Sequence, residues 1–415
     1  MILRAMDWHG KSSTEKLHTS AFFLIMGLVF LNPFPHTTFI DQVLFYAALI
    51  PMMVLAKNKY EYFYYHSPLF YPFMAFFLWS AVSVFFAMDK PDSAHVLYSH
   101  LIRYLIFYLV MINLFNTQKR LITIAICIIF SEVIFAIGKF GYHIILGHDI
   151  FNRAVLQTQA IAVNVIPFGF IPAAFLAGWL FKISRNRSHR LLLGGAILIL
   201  IASTLLTQSR GALLALCISL PILFWNHKRV MGFLFVVIIV ILSQTSLKDR
   251  ITTGNFLNDN PRKYLILYSI EIIKDYPVLG TGFSMNTFRN RDHIDFEKYR
   301  AKVPEKYHHQ KIRFNGPHNM FLSMGIRTGF VGMVLYAGLF VVSIVTCSKL
   351  ILYGKNMFIQ THARCCLALL TMFLVNGVLQ VVTTHFLDTI LFLIFSFVTI
   401  IWKINQDTDA VLPVE

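Results

Sequence analysis

Three short stretches carry side chains whose types and spacing suit phosphate and proton chemistry. The first is Thr207-Gln208-Ser209-Arg210-Gly211, set between two apolar runs. Leu191 to Trp225 is about 35 residues, whereas two full membrane spans alone want roughly 40. The turn should therefore sit at or slightly below a membrane interface and take Arg210 with it. An arginine there is costly unless it meets an anion or a water-filled cavity. Ser209, Arg210 and Gly211 offer a hydroxyl, a fork of donors and open backbone at a helix start, which together suit a phosphate. Snorkelling of Arg210 to lipid headgroups is the competing reading.

The second stretch is Arg262, followed by an apolar helix and the turn PVLGTG at Pro277–Gly282. Arginine reads pyrophosphate with two parallel hydrogen bonds and keeps its charge at every relevant pH. Its many basic neighbours also fit a solvated surface. The third is Gly316-Pro317-His318-Asn319. Proline suits a helix start, and a histidine in the first turn feels the positive end of the helix dipole, which disfavours imidazolium. A neutral imidazole accepts a proton; taken singly, such a histidine equally fits capping or packing.

These residues must be positioned by a membrane protein. Hydrophobic residues make up 57% of the 415 and charged residues 13%, with 40 Phe and a mean hydropathy of +0.64. Ordinary soluble domains run at roughly 45–50% apolar and about 25% charged, so a water-soluble globule and a disordered chain are both excluded. The formal charge of +16 would suggest a nucleic-acid partner on a soluble protein. Here the membrane is the partner, and the location of the charges matters more than their sum.

Apolar runs long enough to cross a bilayer recur about twelve times between Thr19 and Trp402, Val230–Ser246 among them. The first follows a polar stretch, Met1–His18, and precedes Asn32-Pro33 without a small-residue cleavage site. It reads as a retained anchor. The five cysteines all fall in or beside spans, so neither a disulfide framework nor a cysteine zinc site is implied. The expected fold class is thus an all-α polytopic membrane protein: one integral-membrane domain over residues 1–415.

Lys and Arg concentrate in one set of short loops and in both termini, while the alternate short loops hold only Lys90, Arg153 and Arg210. The positive-inside rule then places both termini in the cytoplasm. The long connection between the ninth and tenth spans, residues 247–316, lies outside as a basic, partly helical lobe. Within it Arg262–Asp275 reads as a helix too apolar to float in water, and Arg289–Arg313 reads as a short helix or a flap.

The lobe offers Asp292, His293, Asp295, His308 and His309 but no Asp-x-Asp pair, and neither a metal nor another cofactor is expected. Arg103, Glu132, Lys139 and Asp388 lie within or beside spans. Glu132 and Lys139 share a helix face and suit an internal ion pair. Arg103, Lys139 and the loop residue Arg153 are further candidates for a diphosphate. Asp388 suits orienting a sugar or capping a helix.

The combination of the three stretches resembles the bacterial O-antigen ligase (WaaL) family, within the wider O-antigen ligase and polymerase superfamily. The matching residues are TQSRGALLAL at Thr207–Leu216, Arg262 with PVLGTG, and GPHNMFLSMGIRTGFVG at Gly316–Gly332. One departure is Ile266, where the family commonly has Trp four residues after the arginine. The resemblance implies a glycosyltransferase that moves O-antigen from undecaprenyl diphosphate to a sugar hydroxyl of lipid A–core, at the periplasmic face of a Gram-negative inner membrane. By position it makes His318 the essential histidine and Arg210 and Arg262 the arginines of the diphosphate; Ser209 and Asn319, beside them in sequence, are secondary candidates. An O-antigen polymerase or a protein O-oligosaccharyltransferase would use similar donor chemistry on another acceptor. A lipid-linked oligosaccharide flippase should instead show paired repeats and charges spread through the bundle, and here the informative residues cluster on one face.

Overall fold

In the computed structural model, helices open where a short polar side chain can accept from first-turn amides. Ser12 does so for α1 (Ser13–Leu31), with Glu15 reaching back to the Ser12 amide. Asp89 caps α4 (Lys90–Leu114), Thr117 caps α5 (Gln118–Ile145) and Asn186 caps α7 (Arg187–Leu206). A proline opens α6 (Pro167–Ile183). The other helices are α2 (Thr38–Asn58), α3 (Phe70–Phe85), α8 (Arg210–Phe224), α9 (Asn260–Asp275), α10 (Phe296–Lys302), α11 (Met320–Tyr353), α12 (Met357–Leu379) and α13 (His385–Asp407). The structure describes residues 12–58, 64–150, 165–225, 260–290, 292–308, 316–379 and 385–407, with isolated positions between 229 and 239. No strand occurs among them.

Among the described residues eight helices, α1, α2, α4, α5, α7, α11, α12 and α13, are long and apolar enough to cross a membrane, and α3, α6 and α8 are shorter apolar helices. The chain is therefore a multi-pass membrane protein, helical throughout the elements described. The expected run Val230–Ser246 lies largely outside the described residues. At the centre stands α12, packed between α8, α11, α6 and α13, and the face it presents to them is small or apolar: Ala363, Cys366, Ala368, Leu369, Leu370 and Phe373 are all fully buried. Around it Phe73, Phe340, Phe392 and Phe395 interlock ring to ring at centroid separations of 5.3–6.2 Å.

One helix is broken on purpose. In α11, Gly329 takes φ 73° and ψ −178°, which interrupts the i to i−4 ladder and frees carbonyls that the buried surroundings must satisfy. The PVLGTG segment supplies the partners. Thr281 N donates to Ile326 O at 2.8 Å, Gly282 N to Arg327 O at 3.1 Å, and Phe330 N to Pro277 O at 2.7 Å. The Trp79 indole takes Thr328 O at 2.9 Å. This fit requires missing side chains: a Cβ on Gly280 would lie 2.5 Å from the Arg327 carbonyl carbon, and one on Gly329 would overlap the Val278 carbonyl. Both glycines also hold positive φ.

Beyond that joint, α9 and α10 build a second small core. Tyr264, Leu265, Tyr268 and Ile272 of α9 pack with Phe288, Ile294, Tyr299 and Val303, and Ile326 of α11 completes the cluster. Asp275 ties the end of α9 to α10, taking hydrogen bonds from Lys298 Nζ at 2.6 Å, Lys302 Nζ at 3.1 Å and Tyr299 OH at 2.9 Å. The apolar helix expected at Arg262–Asp275 is α9, and its apolar face is buried against α10 and α11.

Candidate functional site

Two motifs of the sequence meet on one helix end. Ser209 caps α8, its hydroxyl accepting from Ala212 N at 3.4 Å, so that Arg210 becomes the first residue of that helix. Asn319 caps α11, its Oδ1 accepting from Phe321 N at 2.9 Å and Leu322 N at 3.0 Å. Both helix starts lie against the last turn of α12. A Cβ on Gly211 would stand 3.3 Å from Asn376 Oδ1 and within 3.6 Å of Leu379. Asn319 Nδ2 donates to Val378 O at 3.3 Å, and Gly377 leaves the space that the Met320 thioether fills.

The two turns are also built alike. Each has a polar residue in the left-handed region directly before the cap: Gln208 at φ 50° and His318 at φ 48°. That conformation costs a residue with a Cβ roughly 1–2 kcal/mol, and such strain tends to gather at functional sites. Thr207, Gln208 and Ser209 are buried, Arg210 is half-buried and His318 is exposed.

The placement of His318 differs from the sequence reading in one respect. It precedes the cap of α11 and does not stand in the first turn, because Asn319 has the side chain able to take two first-turn amides at once. The first-turn amides at GPHN are thus taken by Asn319, which holds the turn. At the other motif, Arg262 is half-buried in the first turn of α9, and that helix packs along α11.

The remaining candidates are elsewhere. Arg103 lies over the Phe45 ring of α2, 5.2 Å from its centroid. Lys139 sits one turn before His143 on α5. Arg153 is outside the described residues. The Glu132–Lys139 ion pair is not formed: the Glu132 carboxyl presses on α6, where a Cβ on Gly169 would meet its Cδ at 2.7 Å. In the lobe, Asp295 caps α10 through Glu297 N and Lys298 N, His308 Nε2 engages Arg300 O and Val303 O, and His293 faces Asp89 at 3.7 Å. Among the described residues no three metal-ligating side chains gather.

Sequence reasoning missed a cavity of about 410 Å³ beside the joint of α11. It is walled by α3, α4, α11, α13 and the segment Phe283–Arg289, and the polar groups on it include His100, Arg289, Arg327 and Asp388. His100 Nδ1 and Asp388 Oδ2 are 2.7 Å apart. Arg327 is 4% exposed; its Nε donates to Phe283 O at 2.5 Å and its guanidinium lies 4.1 Å from the centroid of the Phe283 ring. Desolvation lowers the pKa of Arg289. A lone arginine in the apolar run MFLSMGIRTGFVG was the available signal. Asp388, expected to cap a helix or orient a sugar, faces this cavity.

Comparison with known proteins bears on the same segment. No curated protein matches the chain. Residues 195–337, roughly a third of the chain, match the family model described as O-antigen ligase, and this stretch, which holds Ser209, Arg210, Arg262, the PVLGTG joint, His318 and Arg327, is similar to that family.

Proposed function

We propose that the protein is an O-antigen ligase. It transfers a polysaccharide from undecaprenyl diphosphate to a sugar hydroxyl of lipid A–core, at the periplasmic face of a Gram-negative inner membrane, with both termini in the cytoplasm. The observation that carries this reading is the convergence of the Arg210 helix start and the His318–Asn319 turn on the last turn of α12. One motif suits a diphosphate, the other a proton acceptor, and both fall within the family match.

In the reaction, the acceptor hydroxyl oxygen bonds to the anomeric carbon as the bond from that carbon to the lipid diphosphate breaks. The leaving diphosphate keeps the electron pair, and the hydroxyl proton passes to the His318 imidazole. Direct displacement inverts the anomeric centre. A lipid diphosphate is already a good leaving group and needs charge stabilisation more than protonation, which Arg210 and Arg262 provide with fixed, permanently charged forks. Ser209 shapes the turn that presents Arg210, and Asn319 positions His318 by tying the turn to Val378. The chemistry needs no metal and no other cofactor. Residues 1–415 form one integral-membrane domain, whose lobe over residues 247–316 covers the site.

Cell-free transfer with purified protein, a lipid-linked glycan and three acceptors tests the reading. Product on lipid A–core supports it. Product only on a second lipid-linked repeat would make the enzyme a polymerase, and product only on a protein serine would make it a protein glycosyltransferase. Translocation of the donor without any product would overturn enzymatic function.

A further inference from the structure

We propose that the cavity beside the joint of α11 is a binding subsite for an anionic saccharide, a sugar unit bearing a carboxylate or a phosphate, with Arg327 and Arg289 as its anion-reading residues. The Arg327 charge meets no acid in its own contacts. Arg327 is nearly fully buried and lines the cavity. Its contacts are the Phe283 carbonyl, the Phe283 ring and the Met324 sulfur at 3.7 Å, and none of these is an acid. No ion pair among the described residues includes it. A neutral donor would serve the same carbonyl, whereas a buried permanent charge with no acid in contact is strongly disfavoured. Asp388, the acid on the same wall, acts on Arg327 only at a distance and is bonded to His100.

The other walls say what kind of anion fits. Arg289 adds a second cation from the lobe side. Tyr336 and Phe392 present aromatic surface suited to the C–H face of a sugar ring, and Asn286 with the His100–Asp388 pair offers donors and acceptors for hydroxyls. The volume of about 410 Å³ falls in the range of small-molecule sites. A bare phosphate would leave the rings and hydroxyl partners unused, and a glycerophosphate headgroup would use few of them. Only the origin of the sugar, in the transferred or the receiving glycan, rests on the proposed function; the binding itself does not.

The test is saturable thermal stabilisation of the full-length, detergent-solubilised protein by glucuronic acid, glucose 6-phosphate, glucose, inorganic phosphate and glycerol 3-phosphate. Glucuronic acid and glucose 6-phosphate should saturate at concentrations at least tenfold below the other three. Arg327→Gln and Arg289→Gln should each weaken them at least tenfold, and Arg289→Gln, on the lobe side, remains informative should the Arg327 variant fail to fold. His318→Asn should bind them like the wild type, which separates this site from the transfer chemistry. Equal binding of glucose, equal binding of phosphate or glycerol 3-phosphate, no response to either anionic sugar, wild-type binding by Arg289→Gln, or loss of binding in His318→Asn would each overturn the proposal.

Discussion

The indole N–H of Trp79 donates to the carbonyl of Thr328 at 2.9 Å, from α3 across to the break in α11. Thr328 O lies just before Gly329, where the helix can no longer supply its own donor. Trp79→Phe keeps most of the ring and removes only the donor, so it leaves a buried carbonyl unsatisfied at a cost of about 1–3 kcal/mol. We expect a lower Tm in detergent with normal membrane insertion. An unchanged Tm would mean that another donor takes Thr328 O.

Gly280 and Gly329 are a stricter case. Each is in the left-handed region and each stands where a Cβ would enter backbone. Gly329→Ala therefore meets both strain and overlap, a combination that belongs with the most damaging single substitutions, on the order of 4 kcal/mol or more. The yield of monodisperse protein should collapse, whereas Gly338→Ala, with open space around it, should leave it intact.

His318→Asn is the cleanest test of the proton acceptor. Asparagine enters the left-handed region more readily than histidine, so the turn before Asn319 should hold at least as well. The variant should fold, insert and bind donor, yet lose transfer by at least a hundredfold, within the usual span for general base catalysis. Near-normal transfer would remove His318 from the mechanism.

Arg210→Lys separates geometry from charge. Lysine keeps the positive charge at the start of α8 but cannot grip two phosphate oxygens in a plane. Transfer should fall strongly at limiting donor, and more strongly for Arg210→Ala. Chelation with EDTA should leave the wild-type rate unchanged; a rate lost with EDTA and restored by a divalent ion would call for a different mechanism.

Asp275 gives a pH dependence with a definite sign. Hydrogen bonds from Lys298, Lys302 and Tyr299 hold its carboxyl well below the ordinary carboxylate range. A depressed folded value means that its contribution to lobe docking is complete above the unfolded pKa of about 3.9 and fades as pH falls below it. Hydrogen exchange in α9 and α10 should rise on acidification through that range. Asp275→Asn should show the faster exchange already at neutral pH and respond less to acid.

The sequence made the helical membrane class and the three motifs readable because span length and local spacing are one-dimensional properties. Arg210 could be placed at a helix start from its neighbours alone, whereas His318 falls one residue before the Asn319 cap and not in the first turn. The role of PVLGTG was harder to see: its glycines mark a turn in the sequence, but their reason is a break in a helix some fifty residues later, visible only once Gly280 is set against Arg327. The cavity was less legible still. His100, Arg289, Arg327 and Asp388 come from four separate segments and share no spacing, whereas of two equally conspicuous charges in apolar runs Arg103 lies over Phe45 of α2 and Lys139 stays beside His143 on its own helix.

The joint at Gly329 also bears on how the chain is made. Carbonyls of Ile326, Arg327 and Thr328 find their donors on Thr281, Gly282 and Trp79, outside their own helix. A segment that cannot close its own backbone bonds is a poor candidate to enter lipid alone. During synthesis, then, the stretch from Phe330 to Tyr353 can insert as an ordinary helix, while Met320–Gly329 must wait at the surface for the lobe already made before it. The lobe would act as an internal chaperone for the helix that follows, and stalled chains long enough to free all of α11 from the ribosome should protect α9 from protease where chains ending before Gly316 leave it open.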